Sequence, residues 1–343
     1  MPHYVGQQND TTLPKNQPEL SILVCVLNEQ DAIALFLDRL IPVIKSATQS
    51  YEIVFVNDGS TDQTLNILYE KCSVKDNHIR IINLSRNFGK DIAMTAGLDH
   101  VKGQAVIPMD VDLQDPPELI IDMLKLWKKG ADTVIAIRSD RNNDSFIKQK
   151  TAVVFYKLIQ KMSSIKIPQN AGDFRLIDQK LLNVIRRMPE RSRFMKGIFS
   201  FPGFKSEHVY YSRPPRSTGR SKWGFWKLWN FALDGIFNFS TVPLRIWTYM
   251  GVLLALLSTS YAVYIFFKTM ILGVDVPGYA SLICAILFSS AINLIGLGII
   301  GEYIGRIFEE VKNRPLYVIE SLYEYEDCLP DPPERPALQA PHD

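Results

Sequence analysis

Two stretches of the chain, Ile246 to Phe267 and Tyr279 to Ile300, carry no charged side chain over a length that few folds can absorb. About 20 consecutive apolar residues cross the hydrocarbon layer of a bilayer as a helix, and a helix satisfies its own backbone there. The short connection KTMILGVDVPG makes the pair a hairpin whose outer ends share one side. A helix hairpin buried inside a soluble protein is the competing reading. The flanking charges weigh against it, because Arg245 precedes the first run and Arg306, Lys312 and Arg314 follow the second. By the positive-inside rule both outer ends face the cytoplasm.

The amino-terminal part has a different pattern. LSILVCVL, YEIVFVN, IRIINL, QAVIPM and DTVIAIR are short aliphatic runs with few charges, as expected of strands covered on both faces. Segments of helical length and period lie between them, such as EQDAIALFLDRLIPVIKSA and DQTLNILYEKC, the latter opening with a capping pattern in STDQ. Repeated βα units predict an α/β fold with a mostly parallel, doubly wound sheet. At 343 residues there is enough chain for this core and a second region. A hydrophobic content of 47% excludes a disordered chain, and a formal net charge of +2 gives no global field for nucleic acid. Cys25, Cys72, Cys284 and Cys328 form no CxxC pair and read as reduced thiols. Residues 1–18 are polar and read as a loose tail, without the apolar core of a signal peptide.

Ligands of doubly wound sheets sit beyond the carboxyl ends of the strands. Here those ends are polar: Asn28-Glu29, Asn57-Asp58-Gly59-Ser60, Ser85-Arg86-Asn87, and the cluster Asp110, Asp112 and Asp115 in MDVDLQDPP. One such loop could be an ordinary turn or helix cap; four on one rim point to a site. In an extended segment Asp110 and Asp112 would share a face, with Val111 turned into the core. The repulsion between them would be relieved by a divalent cation, and oxygen-only ligands suit Mg²⁺ or Mn²⁺ held partly by a substrate phosphate. An EF-hand register fails, since it puts Asp115 at the glycine and Ile121 at the bidentate glutamate. Asp115, before Pro116-Pro117, reads as part of a solvated acidic turn, ending one element and capping the next.

Between the two regions runs SKWGFWKLWNFALDGIFNFSTVP, with Trp223, Trp226 and Trp229 at intervals of three and Trp247 beyond. Indoles favour the headgroup layer, so residues 223–243 read as interfacial amphipathic helices. Packing of these rings against the soluble domain is the alternative. Arg213, Arg216, Arg220 and Lys222 form a basic run beside them, suited to anionic headgroups or to a substrate. Ser217, Gly219 and Ser221 would let it move as a lid.

Taken in order, VLNEQ, VNDGSTD, LSRNFGK, MDVDLQDPP, AGDFRLID, RPPRSTGRSKW and GEYIGRIFEEVKNRP resemble the polyisoprenyl-phosphate glycosyltransferases of glycosyltransferase family 2, over residues 20 to 320. Bactoprenol glucosyltransferases of the GtrB type and dolichol-phosphate mannose synthases are similar. The resemblance implies a GT-A (Rossmann-like) domain over residues 19–222. The interfacial helices would follow it, then two transmembrane helices within 244–301 and a cytoplasmic segment over 302–343. It places Leu27, Asn28, Glu29, Asp58, Gly59, Arg86, Lys90 and Asp110 around a nucleotide sugar. Asp110 and Asp112 match the metal-binding DxD element, with Gln114 beside them. Asp173 matches a position that often holds a base, although a helix-capping or Arg175-pairing aspartate fits the sequence as well. Arg138 and Lys148 match basic positions that bind the acceptor phosphate, and Arg213, Arg216 and Lys222 are further candidates. Asn57 stands where many relatives have aspartate.

The resulting expectation is a metal-dependent, inverting transferase anchored in the cell membrane with its catalytic domain in the cytoplasm. It would pass a hexose, glucose from UDP-glucose, to undecaprenyl or a related polyprenyl phosphate, and by resemblance form a homo-oligomer such as a tetramer. Mannose, N-acetylglucosamine and aminoarabinose remain alternatives for the sugar. A processive synthase is disfavoured because no Q-x-x-R-W segment occurs. A catalytically silent membrane scaffold would need none of Asp58, Asp110 and Asp112.

Overall fold

The structure is a computed structural model that describes residues 17–74, 78–139, 171–188, 190–191, 193–212, 242–272 and 278–324. The amino-terminal tail, Lys148, Arg213, Arg216, Ser217, Gly219, Arg220, Ser221, Lys222 and the three tryptophans Trp223, Trp226 and Trp229 lie outside the described residues.

Within them the chain begins with four βα units. These are β1 (Leu20–Val26), α1 (Ile33–Ala47), β2 (Tyr51–Asn57), α2 (Thr64–Cys72), β3 (Ile79–Leu84), α3 (Lys90–His100), β4 (Ala105–Met109) and α4 (Leu119–Lys128). Then follow β5 (Thr133–Arg138), β6 (Ala171–Asp178), α5 (Gln179–Arg186), α6 (Met195–Ser200) and β7 (Ser206–Tyr211). Two long helices, α7 (Val242–Leu272) and α8 (Tyr279–Val311), precede a last strand, β8 (Ile319–Tyr323). The strands form one sheet in the order β7-β5-β6-β4-β1-β2-β3-β8.

Strands β4, β1, β2 and β3 are parallel, as the sequence predicts. Each is largely apolar because successive side chains alternate between two covered faces, and the exceptions are paired: Ser21 Oγ donates to Glu52 Oε1, and Arg80 pairs with Glu52. Ile22, Val24, Ile53 and Phe55 pack with Phe36, Leu40, Ile44 and Met123 of α1 and α4. Leu23, Val54, Val56 and Ile82 pack on the other face with Met94, Leu98, Leu182 and Ile198 of α3, α5 and α6. Full burial of each such side chain contributes about 1.5–3 kcal/mol. Helix α3 approaches the sheet closely at Gly97, where an added Cβ would lie 2.1 Å from Leu23 Cδ1.

Three strands are not announced by the sequence. β6 runs antiparallel to both β4 and β5, so its first residues, Ala171 to Asp173, reach the rim where β4 ends. β7 extends the sheet parallel to β5, and β8 closes the other edge antiparallel to β3. Helix α1 begins at Ile33, later than the segment starting at Glu29 suggests, because Asn28 adopts φ +55° and sends the chain into a loop. At the start of α2 the N-cap residue Gln63 makes no side-chain cap, and Asp62, one residue earlier, accepts the Thr64 N–H at 3.0 Å instead. Cys25 is a free thiol. Cys72 is disulfide-bonded, which corrects the reading of four reduced thiols; pairing between distant cysteines leaves no spacing signal.

The stretches Ile246–Ile265 and Phe288–Val311 are long and apolar enough to cross a membrane, with mean hydropathy 1.5 and 1.4. Neither is a core helix, since 0% and 6% of their residues are buried. Trp247, read with the interfacial tryptophans, instead packs within the hairpin: a Cβ at Gly296 would fall 2.1 Å from its Nε1. Because β8 follows α8 and joins β3, the hairpin must return the chain to the side on which the sheet lies.

Replacement of Gly97 by valine should push α3 off Leu23 and cost about 1–3 kcal/mol, read as a fall in the melting temperature of the purified protein. Valine at Gly301, where a Cβ meets nothing within 4 Å, should leave it unchanged.

Candidate active site

The parallel strands bring their carboxyl ends to one rim, and the antiparallel β6 adds its start. The first two loops on this rim knit to each other. Asn28 N donates to Ser60 Oγ at 2.9 Å, Asn28 Oδ1 accepts from Thr61 N at 2.8 Å, and Glu29 N donates to Thr64 Oγ1 at 2.9 Å. Leu27, at the end of β1, is partly exposed beside them.

Asp58 joins the second loop to the third. Its two carboxylate oxygens accept the backbone N–H groups of Phe88 at 2.7 Å and Gly89 at 2.9 Å. Burial pushes its carboxyl above the ordinary value, against the lowering effect of these two amides and of Arg86. Gly59 lets the loops meet: it sits at φ +69°, and a Cβ would stand 2.5 Å from the backbone of Arg86 and Asn87. Arg86 itself lies over the Phe88 ring, 4.0 Å from its centroid.

Asn57 is buried and does not face the rim's open side. Its Nδ2 donates to Asn83 Oδ1 at 2.8 Å, and Asn83 Nδ2 donates to Glu320 Oε2 of β8 at 2.8 Å. An aspartate at 57 would turn the Asn83 amide round and set its carbonyl oxygen against Glu320. Asparagine is therefore the residue that lets Asn83 hold β8.

Lys90 opens α3 directly after the clasped Gly89 and extends across the rim. Its Nζ lies 2.7 and 3.0 Å from the two oxygens of Asp110 and 3.1 Å from Asp173 Oδ2. Burial works to lower the Lys90 pKa, but the two carboxylates outweigh it and hold the ammonium above its ordinary value. At Asp173 burial acts upward, and Lys90, then Lys196, bring the carboxyl below its usual range. Among the described ion pairs Asp173 is joined to Lys90 and not to Arg175. Arg175 is fully buried, donates to Gly172 O at 2.8 Å and lies over the Phe199 ring. Burial lowers its pKa to about 10.

The aspartate cluster differs from the extended segment expected. β4 stops at Met109, and residues 111–112 form a turn completed by Leu113 at φ +55°. Asp112 Oδ1 accepts from Gln114 N at 3.1 Å, so the second carboxylate is oriented by an Asx turn and not by strand alternation. Gln114 is 4% exposed, and its Oε1 has no hydrogen-bond donor among the described residues. Asp115 is 5% exposed. It accepts a hydrogen bond from Tyr211 Oη, and Arg138 Nε donates to the same oxygen at 3.3 Å. Burial and Asp115 push the Tyr211 phenol up to about 12. Asp115 thus joins the cluster loop to β7 and is no solvated turn residue.

The structure brings together Lys90, Asp110 and Asp173 directly. Asn28, Glu29, Asp58, Gly59, Asp112, Gln114 and Arg138 stand on the same rim. Tyr211 and Lys196 belong to it as well, although no motif marks them: Tyr211 arrives through strand pairing with Arg138. A cleft of about 430 Å³ opens between the start of α3 and α6, lined by Phe88, Lys90, Asp173, Phe194 and Lys196 among others. A larger one, about 580 Å³, lies between Arg191 and the end of α8 and touches none of the rim residues. The converging charges make the smaller cleft the candidate site.

Residues 21–186 match Glycosyl transferase family 2, and residues 242–307 match the GtrB C-terminal hairpin. An uncharacterized glycosyltransferase of Synechocystis sp. is 53% identical, covering 90% of this chain and 96% of its own length. The SfII prophage-derived bactoprenol glucosyl transferase of Shigella flexneri is 48% identical, over 88% of this chain and 97% of that protein. The prophage bactoprenol glucosyl transferase homolog of Escherichia coli K12 is 47% identical, over 88% and 98%.

Asp58→Asn sets an amide N–H against one of the two backbone donors, which costs about 1–3 kcal/mol. Hydrogen exchange should quicken at Phe88 and Gly89, and unchanged protection there would exclude the clasp.

Proposed function

The chain belongs to glycosyl transferase family 2, and from that premise we propose that it transfers glucose from UDP-glucose to a polyprenyl phosphate such as undecaprenyl phosphate. What carries this reading is the meeting of Asp110, Asp112, Lys90 and Asp173 on one rim of a GT-A sheet, in a chain that also has two helices fit to span a membrane. The names of the relatives supply the sugar and the lipid.

A divalent cation fits the residues present. Asp110 and Asp112 are hard oxygen donors on one turn, and the orphaned Gln114 Oε1 stands beside them. Among the described residues no third His, Cys, Asp or Glu completes a protein cage. That suits Mg²⁺ or Mn²⁺, which take part of their shell from phosphate and water. Bound there, the cation would offset the charge that develops on the departing diphosphate. Asn28, Glu29 and the Asp58-clasped loop would line the nucleotide, and Lys90 would meet its phosphates.

The acceptor needs little proton chemistry. A phosphomonoester has a second pKa near 6, so it is largely ionised at neutral pH and attacks by direct displacement with inversion. Asp173, held ionised by two lysines, is a weak proton acceptor. Its part is to place Lys90. Arg138, steadied by Tyr211, would orient the acceptor phosphate with a charge-assisted bond, and Lys148 and the basic run at Arg213, Arg216 and Lys222 would add to it. The positive flanks of the hairpin support a place for this rim at the cytoplasmic face of the cell membrane.

Purified protein incubated with undecaprenyl phosphate and a panel of sugar nucleotides, with and without Mg²⁺ or Mn²⁺, should yield a glucosylated lipid from UDP-glucose only when metal is present, identified by mass. Another sugar in the product would correct the donor. No lipid product from any donor would sink the transferase reading. Asp110→Asn and Asp112→Asn should each lower turnover by about 100-fold or more. Arg138→Ala should raise KM for the lipid by about tenfold and leave KM for UDP-glucose nearly unchanged.

A further inference from the structure

We propose that Lys90 is a resident counter-ion that makes metal binding at Asp110 and Asp112 conditional on the nucleotide sugar. This rests on the transferase reading and adds an order of events to it.

The ammonium lies within 3.0 Å of both oxygens of Asp110, so it covers the carboxylate edge that an incoming cation would need, and a third contact at 3.1 Å to Asp173 holds it there. Its root is fixed. Asp58 grips the backbone N–H groups of Phe88 and Gly89, the two residues before Lys90. The rest of the side chain is a flexible four-carbon stem with 45% of its surface exposed, so the charged end can swing while the backbone stays in place.

Without donor, a divalent cation would have to displace this ammonium or share Asp110 with it, a like-charge contact in a partly desolvated cleft. A nucleoside diphosphate sugar changes the balance, because its phosphate oxygens give the ammonium a second seat and the metal further ligands. Lys90 would then leave Asp110 for the diphosphate. From that seat it faces the charge released when the sugar–phosphate bond breaks. Asp173 is its other anchor, which accounts for a carboxylate placed against a lysine in a site whose acceptor needs no base.

The test is Mn²⁺ binding to the full-length protein in detergent, read from the free Mn²⁺ signal by electron paramagnetic resonance, with and without UDP. Native protein should bind Mn²⁺ weakly alone and much more tightly with UDP. Lys90→Met should bind Mn²⁺ without UDP on the order of tenfold more tightly than native protein, and Lys90→Arg, which keeps the charge, should stay native-like. Equal Mn²⁺ affinity of the native protein with and without UDP would overturn the proposal, and this arm needs no variant. Equal UDP-free affinities of the native and Lys90→Met proteins, with the UDP effect intact, would overturn it too. No Mn²⁺ bound by any of the three, even with UDP, would instead remove the metal reading beneath it.

Discussion

Carboxylates crowded at the end of a buried strand repel one another unless a cation lies among them. In this protein that cation is the ammonium of Lys90, seated between Asp110 and Asp173. The arrangement depends on where Lys90 starts, and Asp58 decides that by gripping the two peptide groups before it. The Gly59 backbone then fits against Arg86 and Asn87 only because no Cβ intervenes. Loops after β2, β3 and β4 and the first residues of β6 therefore behave as one unit. A change in any of them moves charge at the others.

The central part of this design was legible in the sequence. Four strands covered on both faces wrote themselves as aliphatic runs, and the polar residues that follow them stand out because a buried strand has no other reason to end in carboxylates. What lay beyond reach depends on contacts between distant segments. SEHVYY and IESLY are edge strands with mostly exposed or half-exposed residues, so neither shows the apolar signature of the centre. Tyr211 meets Asp115 across 96 positions, and that partnership turns an apparent surface turn into a buried anchor. The equal spacing of Asp110 and Asp112 suggested strand alternation, whereas the strand had already ended and a left-handed Leu113 took over the geometry. Asn57 could be noticed as unusual, yet its purpose rests on Glu320 at the far end of the chain.

The catalytic region and the hairpin are also joined away from the sheet. Arg191 N donates to Glu310 Oε1 at 2.7 Å, and its guanidinium reaches Asn313 Oδ1 at 2.5 Å. Arg191 lies in the segment leading to α6, which bears Lys196 beside Asp173. The end of α8 thus touches the same stretch of chain that lines the candidate cleft. Anchoring and chemistry share a wall.

Strand β8 carries a consequence for how the molecule is made. Synthesis runs from the amino terminus, so β3 leaves the ribosome long before its partner, and α7 and α8 are translated in between. Until Ile319–Tyr323 emerges, β3 is an open edge with unpaired peptide groups, the kind that invites wrong pairing. Glu320 and Glu324, which tie that last strand to Asn83, Lys102 and Arg80, arrive only with it. Completion of the sheet must therefore wait until both long apolar helices have been made, and a polypeptide stalled inside the hairpin would be left with a half-finished edge.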